Sequence, residues 1–220
     1  MNFQRVIHRA FLLGCLSVAS GISAARAEEP YRRQINVVYG ETHGVGLVAD
    51  IFTPTGAKNG AAIVEVTSGG WSSSRGKLDD LEKARVFDIL CSRGYTLFAI
   101  RPGSISKFSA AEMVAHVEQG IQWVKVHARE YDFDPDRMGL MGASAGGHLA
   151  SLVAVRNGRV TGNPDASVAA VGVFFPPTDL IQYGIIKLDP RSDNRLGKFG
   201  QAHVRARLPG RRRRAQRRRD

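Results

Sequence analysis

One serine, Ser144, stands between two glycines in the pattern Gly142-x-Ser144-x-Gly146. A short apolar run over residues 138–141 predicts a buried strand before it, and apolar residues at helical spacing follow it. At so sharp a strand-to-helix turn a serine is strained and its hydroxyl exposed, and the flanking glycines let the strand and the helix approach closely. The pattern predicts a nucleophile with the Ala145 N–H aimed at a developing oxyanion. The alternative is an ordinary glycine-rich connection.

A second polar segment, residues 67–71, reads Thr-Ser-Gly-Gly-Trp and follows an apolar run over residues 61–66 that predicts a central strand. In an open α/β sheet, ligands bind at the carboxyl ends of the strands. The paired glycines Gly69 and Gly70 would let backbone N–H groups face a substrate oxygen there. Together with the Ala145 N–H they are candidates for an oxyanion hole. The alternative is a plain strand-to-helix turn.

Strands and helices alternate along the chain between these two segments. The apolar patterns predict helices over residues 78–92, over residues 110–129 and after the Gly142–Gly146 motif, and strands over residues 33–39, 46–52, 61–66, 95–100, 138–141 and 168–175. This order predicts an α/β fold with a doubly wound, mostly parallel sheet in three α/β/α layers.

The first 27 residues have the three parts of a secretory signal peptide. Basic residues precede an apolar run over residues 10–19, and small residues end at Ala27. We expect cleavage after Ala27, no integral membrane segment thereafter, and a periplasmic or secreted protein. A membrane anchor, or a lipoprotein box at Cys15, is the alternative. After cleavage, Cys91 is the one cysteine left, so no internal disulfide is expected.

The formal charge of +11 is concentrated at the carboxyl end. Residues 205–220 hold nine arginines and one aspartate, which is +8 and leaves 11 − 8 = +3 for residues 1–204. Runs of like charge are typical of disordered tails, and no aromatic residue lies among these arginines. We therefore predict an α/β domain over residues 28–185, an arginine-rich, disordered tail over residues 186–220, and no specific nucleic-acid partner.

The motifs resemble those of the α/β-hydrolase fold in its esterase/lipase branch. Residues 142–150 are similar to the serine turn of acetyl-ester-cleaving and related carboxylesterases, and of prolyl-oligopeptidase-like peptidases. Residues 69–71 resemble part of the His-Gly-Gly-Gly-Trp oxyanion motif, with Thr67 and Ser68 replacing its His-Gly part. The resemblance covers residues 37–183. It implies a Ser-His-Asp triad, no metal or organic cofactor, and a small-molecule or carbohydrate ester as substrate.

The sequence departs from that pattern after the serine. In this fold the triad acid and histidine follow two further strands, and residues 188–220 contain no apolar run that predicts either strand. The sequence therefore predicts a hydrolase fold lacking its C-terminal strands, with the triad acid and base unassigned. The candidates are a histidine on the helix of the serine, one in the tail, two on the preceding helix and two later aspartates: His148, His203, His116, His127, Asp179 and Asp193.

Three functional interpretations follow. The first is an exported serine hydrolase that cleaves carboxylic esters, with acetyl esters as one candidate class, through an acyl-enzyme at Ser144. The second is a truncated or frame-shifted hydrolase with little or no activity, because a serine without its base is a weak nucleophile. The third is a polyanion-binding protein that uses the arginines of residues 211–219.

Overall fold

A computed structural model describes residues 29–157, 164–180, 182–183 and 186–187. Its elements are, in chain order, β1 Tyr31–Thr42, β2 Val45–Pro54, β3 Ala62–Val66, α1 Arg75–Lys83, α2 Val86–Cys91, β4 Thr96–Arg101, α3 Ala110–Val126, α4 Ala128–Tyr131, β5 Met138–Ala143, α5 Ala145–Asn157, a 3-10 turn Pro164–Ala166, β6 Ala170–Phe174, β7 Gln182–Tyr183 and β8 Ile186–Lys187. The predicted signal peptide and residues 188–220 of the predicted tail lie outside the described residues.

Six strands form one sheet in the order β1-β2-β4-β3-β5-β6. The β1–β2 and β2–β4 pairs are antiparallel, and the remaining pairs are parallel. The mostly parallel sheet predicted from the alternation of elements is thus confirmed. Strands β7 and β8 pair antiparallel, so the first two residues of the predicted tail, 186 and 187, belong to a strand.

Helices cover both faces of this sheet. Alternate residues of β4 point to opposite faces. Leu97 and Ala99 share one apolar cluster with α1 and α2, whereas Phe98 and Ile100 share the larger cluster with α3 and α5. The doubly wound, three-layer arrangement is therefore confirmed. Among the described helices, none is long and apolar enough to cross a bilayer.

The predicted helix over residues 78–92 is two helices, so its prediction as one helix was wrong. Arg85 adopts a left-handed conformation with φ 56° between α1 and α2. Leu81 before the break and Phe87 after it both reach the same apolar cluster. Apolar spacing along the sequence predicts only which side chains are buried. A left-handed residue changes the direction of the chain while these side chains stay in the core, so the spacing does not reveal the break.

A buried carboxylate joins the antiparallel part of the sheet to α1. Asp50 of β2 is fully buried. It accepts hydrogen bonds from Arg33 at 2.8 Å, from Arg75 and Arg101 at 3.2 Å each, and from the Asn36 backbone N–H at 3.2 Å. Burial alone would raise the pKa of Asp50, but these donors and the positive charges hold it below its ordinary value. The ion cluster therefore ties β1, β2, β4 and α1 together.

We expect Asp50→Asn to destabilise the fold because it leaves three guanidinium groups around a neutral amide. Removing one partner of a buried ion cluster costs about 3–5 kcal/mol. Urea denaturation should show a loss of this size in the free energy of unfolding. Asp80→Asn, at an exposed site on α1, is the control and should change it by less than about 0.5 kcal/mol. An equal, small effect of both substitutions would contradict the structural role of Asp50.

Candidate active site

Ser144 lies at the sharp turn between β5 and α5, where the sequence places it. Its φ is 53°, in the left-handed region that a non-glycine residue rarely occupies. Its N–H donates to the Phe174 carbonyl of β6 at 2.9 Å, and its carbonyl accepts from the His148 N–H at 2.9 Å. The backbone on both sides of the strained residue is therefore fixed by neighbouring elements.

The glycines around Ser144 are explained by close backbone contacts. A Cβ added at Gly142 would lie 2.6 Å from the Gly146 carbonyl, and one added at Gly146 would lie 2.0 Å from the Val66 carbonyl oxygen of β3. Real Cβ atoms do not approach so closely. The structure thus has the tight approach of strand and helix that the Gly-x-Ser-x-Gly spacing predicts.

Strain at Ser144 gives a stability test. A left-handed conformation costs an L-residue with a Cβ about 1–2 kcal/mol, and glycine does not bear that cost. Ser144→Ala keeps the Cβ, whereas Ser144→Gly removes it. We expect the glycine variant to be the more stable of the two by about 1 kcal/mol in urea denaturation. Equal stability, or a more stable alanine variant, would show that the turn is not strained.

Residues 69–72 form a tight two-residue turn at the end of β3. The Gly69 N–H donates to the Ser72 carbonyl at 3.0 Å, and the Ser72 N–H donates to the Gly69 carbonyl at 2.9 Å. The two central residues, Gly70 and Trp71, have φ of 54° and 57°, as in a type I′ turn. For a buried tryptophan such a φ is unusual, which marks this turn as a second strained point.

The turn geometry distinguishes among the three predicted oxyanion donors, Gly69, Gly70 and Ala145. The Gly69 N–H is already bonded to Ser72. Gly70 is exposed, and a Cβ added to it would meet nothing within 4 Å, so its Cα is open on that side. Ala145 is the first residue of α5, where N–H groups have no acceptor within the helix. The geometry therefore favours Gly70 and Ala145 as donors, and their role remains a prediction.

The two strained points are connected. The Gly146 N–H of α5 donates to the Ser68 carbonyl at 3.1 Å. The Trp71 indole Nε1–H lies 3.3 Å from Nδ1 of His148, and the two rings meet edge to face with centroids 5.8 Å apart. The sequence offers His148, on the helix of Ser144, as a candidate for the triad base. Its bond to Trp71, a residue 77 positions away, has no signal in the spacing of either residue.

Two of the other candidate histidines bond backbone carbonyls of their own surroundings. His116 is buried with Nδ1 2.6 Å from the Pro102 carbonyl. His127 has Nδ1 2.7 Å from the Trp123 carbonyl and stacks on that indole ring. Asp179 is exposed after β6, and it carries no assigned role. His203 and Asp193 lie outside the described residues.

Glu65 is a buried acid next to the candidate oxyanion segment, and no motif in the sequence marks it as a site residue. Its side chain is 1% exposed in the central strand β3. Burial raises its pKa from 4.5 to about 7, although a hydrogen bond from the Thr67 hydroxyl and the charge of Lys77 act in the opposite direction. Glu65 supports Thr67, the residue that stands where the resemblance expects histidine.

The raised pKa of Glu65 predicts a pH-dependent stability. Because the folded state binds this proton more tightly than the unfolded chain, the stabilising contribution is complete below pH 4.5 and is lost as the pH rises to about 7. The loss is on the order of 3 kcal/mol. Urea denaturation across this range should show Glu65→Gln gaining stability over the wild type as pH rises.

Glu41→Gln is the control for this prediction, because Glu41 is an exposed carboxylate of β1. Its stability difference from the wild type should change little over the same range. A pH-independent difference between Glu65→Gln and the wild type would contradict the buried, proton-binding state of Glu65.

Metal binding finds no support in the part of the chain that the structure describes. No group of three or more His, Cys, Asp or Glu side chains there could hold a metal ion. The free thiol of Cys91 is buried between the sheet and α2, and burial raises its pKa to about 12.

Solved esterase structures share this fold. The native esterase 2 of Thermogutta terrifontis aligns with a TM-score of 0.56 and 26% identity over 81% of this chain and 61% of that chain. An inhibited esterase B of Lactobacillus rhamnosis aligns with a TM-score of 0.59 and 18% identity over 81% and 57%. The chain thus has the α/β-hydrolase fold of these esterases.

The family follows from the sequence match. The BD-FAE family model matches residues 49–201, and the chain belongs to that family. An acetylxylan esterase of Xylanibacter ruminicola is 31% identical over 64% of this chain and 27% of that protein. A probable carboxylic ester hydrolase of Mycobacterium tuberculosis, LipM, is 30% identical over 42% and 21%. The chain therefore spans about a quarter of the length of these curated relatives.

Proposed function

We propose that this protein is a serine hydrolase that cleaves carboxylic esters through an acyl-enzyme at Ser144. The observation that carries the proposal is the strained Ser144, φ 53°, at a strand-to-helix turn next to the N–H groups of the first turn of α5. Such a turn presents a serine hydroxyl away from the sheet. A residue is held in this conformation only where neighbouring contacts enforce it, and such strain clusters at active sites.

The reaction has two steps. The Ser144 oxygen attacks the acyl carbonyl carbon and loses its proton to a base, the carbonyl oxygen becomes an oxyanion, and the alcohol leaves with a proton. Water then attacks the acyl-serine and releases the carboxylic acid. The N–H groups of Ala145 and Gly70 stabilise the oxyanion in both steps. The general base is not assigned to any described residue.

Short acyl esters, including acetylated sugars, are the proposed substrates. The similarity to an acetylxylan esterase over 64% of this chain supports a carbohydrate ester. The exposure of Gly70 supports access of a substrate acyl group to the proposed donor. Export is part of the proposal as well, because residues 1–27 have the pattern of a signal peptide and an extracellular polysaccharide is met outside the cytoplasm.

Labelling with a fluorophosphonate tests the nucleophile. Intact mass should show one adduct on the wild-type chain and none on Ser144→Ala, because an activated serine is required for the reaction. Ser151→Ala is a matched control on the same helix, where the Ser151 hydroxyl bonds the Gly147 carbonyl at 2.8 Å, and its labelling should equal that of the wild type.

Two results would overturn the proposal. One is labelling that persists in Ser144→Ala. The other is a folded wild-type protein that takes up no label, which would leave the serine turn as architecture and favour the interpretation of a hydrolase with little activity. Release of acetate from acetylated xylo-oligosaccharides, compared with p-nitrophenyl acetate, then tests the substrate class.

A further inference from the structure

The contact between Trp71 and His148 joins the two segments that carry the proposed oxyanion donors. Trp71 directly follows Gly70 in the tight turn, and His148 lies one helical turn after Ser144. Both side chains are buried, with exposures of 2% and 6%. The hydrogen bond between these side chains, at 3.3 Å, joins the same two segments as the backbone bond from the Gly146 N–H to the Ser68 carbonyl.

The chemistry of this bond fixes the state of His148. An indole Nε1–H can only donate, so Nδ1 of the imidazole is the acceptor. The ring is then neutral and carries its proton on Nε2. A neutral ring also suits the first turn of a helix, where a positive charge is unfavourable. In this state Nε2 carries a proton and Nδ1 accepts from Trp71, so neither nitrogen can take the Ser144 proton. His148 therefore acts through its contact with Trp71.

The strained turn needs such a contact. Trp71 holds φ 57° and Gly70 φ 54°, and a bulky residue keeps a left-handed conformation only where its surroundings enforce it. The Ile105 N–H bonds the Trp71 carbonyl at 2.8 Å and holds the backbone on one side. His148 holds the indole ring on the other side. The Gly70 N–H belongs to the peptide whose carbonyl, that of Gly69, accepts from the Ser72 N–H at 2.9 Å, so a shift of Trp71 within this turn also moves the Gly70 N–H.

We infer that His148 is a positioning residue: by accepting the Trp71 indole N–H, it fixes the Gly70 N–H relative to the Ala145 N–H and so sets the geometry of the oxyanion hole. The inference rests on the proposed function for its catalytic consequence. Its structural part, the control of the Gly70 peptide by His148, can be tested without any measurement of activity.

The first test is nuclear magnetic resonance of the full chain, which contains two tryptophans and therefore gives two indole signals. Trp71→Phe assigns one of them to Trp71. His148→Leu, which keeps an apolar side chain of similar volume and removes the acceptor, should move the Trp71 indole proton upfield and shift the Gly70 amide. His148→Asn, whose Oδ1 stands where Nδ1 stood, should restore both signals.

His127→Leu is the matched control, because His127 also packs against a tryptophan, Trp123, with ring centroids 3.8 Å apart. It lies at the end of α3, and it should change the Trp123 indole signal while leaving those of Trp71 and Gly70 in place. Unchanged Trp71 and Gly70 signals in a folded His148→Leu protein would overturn the inference.

The second test is the kinetics of p-nitrophenyl acetate hydrolysis. Misplacing one oxyanion donor lowers transition-state stabilisation more than substrate binding. His148→Leu should therefore lower kcat by about tenfold with little change in KM, and His148→Asn should recover most of the loss. An unchanged kcat with a lower unfolding midpoint would mean that His148 only stabilises the fold, and would overturn the catalytic part.

The failure of this inference is distinguishable from failure of the proposed function. A wild-type protein without esterase activity or labelling contradicts the proposed function, and the resonances of Gly70 and Trp71 then decide the positioning role alone. An active wild type whose His148→Leu variant keeps its kcat leaves the proposed function intact and contradicts the inference.

Discussion

The approach of α5 to the carboxyl end of β3 is the constraint on which the site depends. The Gly146 backbone lies so close to the Val66 carbonyl that even one methyl group would collide with it at 2.0 Å. Because the helix is held against the strand there, the N–H groups of its first turn open at the same edge of the sheet as the turn containing Gly70. A donor pair can form only where the backbone packs this tightly.

Strain at Ser144 and Trp71 is tolerated because the surrounding sheet is rigid. The parallel strands β3 and β4 pack against apolar clusters on both faces, and Asp50 with its arginines links the antiparallel strands to the start of α1. A flexible scaffold would relax two left-handed residues of this kind. The stability of the layers therefore holds the chemical groups in a geometry that short peptides would not adopt.

The sequence predicts the parts of the molecule that depend on local patterns. Alternating strands and helices, and glycines around Ser144, leave clear periodic or steric signals, and the structure has them in place. The break at Arg85 leaves no signal because Leu81 and Phe87 are buried on either side of it. The burial of Glu65 and the pairing of Trp71 with His148 arise from contacts distant in sequence, which periodicity does not record. The triad acid and base stay unassigned for a different reason: residues 188–220 contain no apolar run that predicts the strands after which they would lie.

The bond from the Ser144 N–H to the Phe174 carbonyl has a consequence for the motions of the molecule. Strand β6 is the outer strand of the described sheet, and its side chains are exposed along its length. Outer strands open more often than central ones. Each time β6 frays at Phe174, the amide of Ser144 loses its acceptor and the left-handed turn loses one of its restraints. The exchange rate of this one amide proton therefore measures how often the turn at Ser144 is released, and the stability of the outer strand sets that rate.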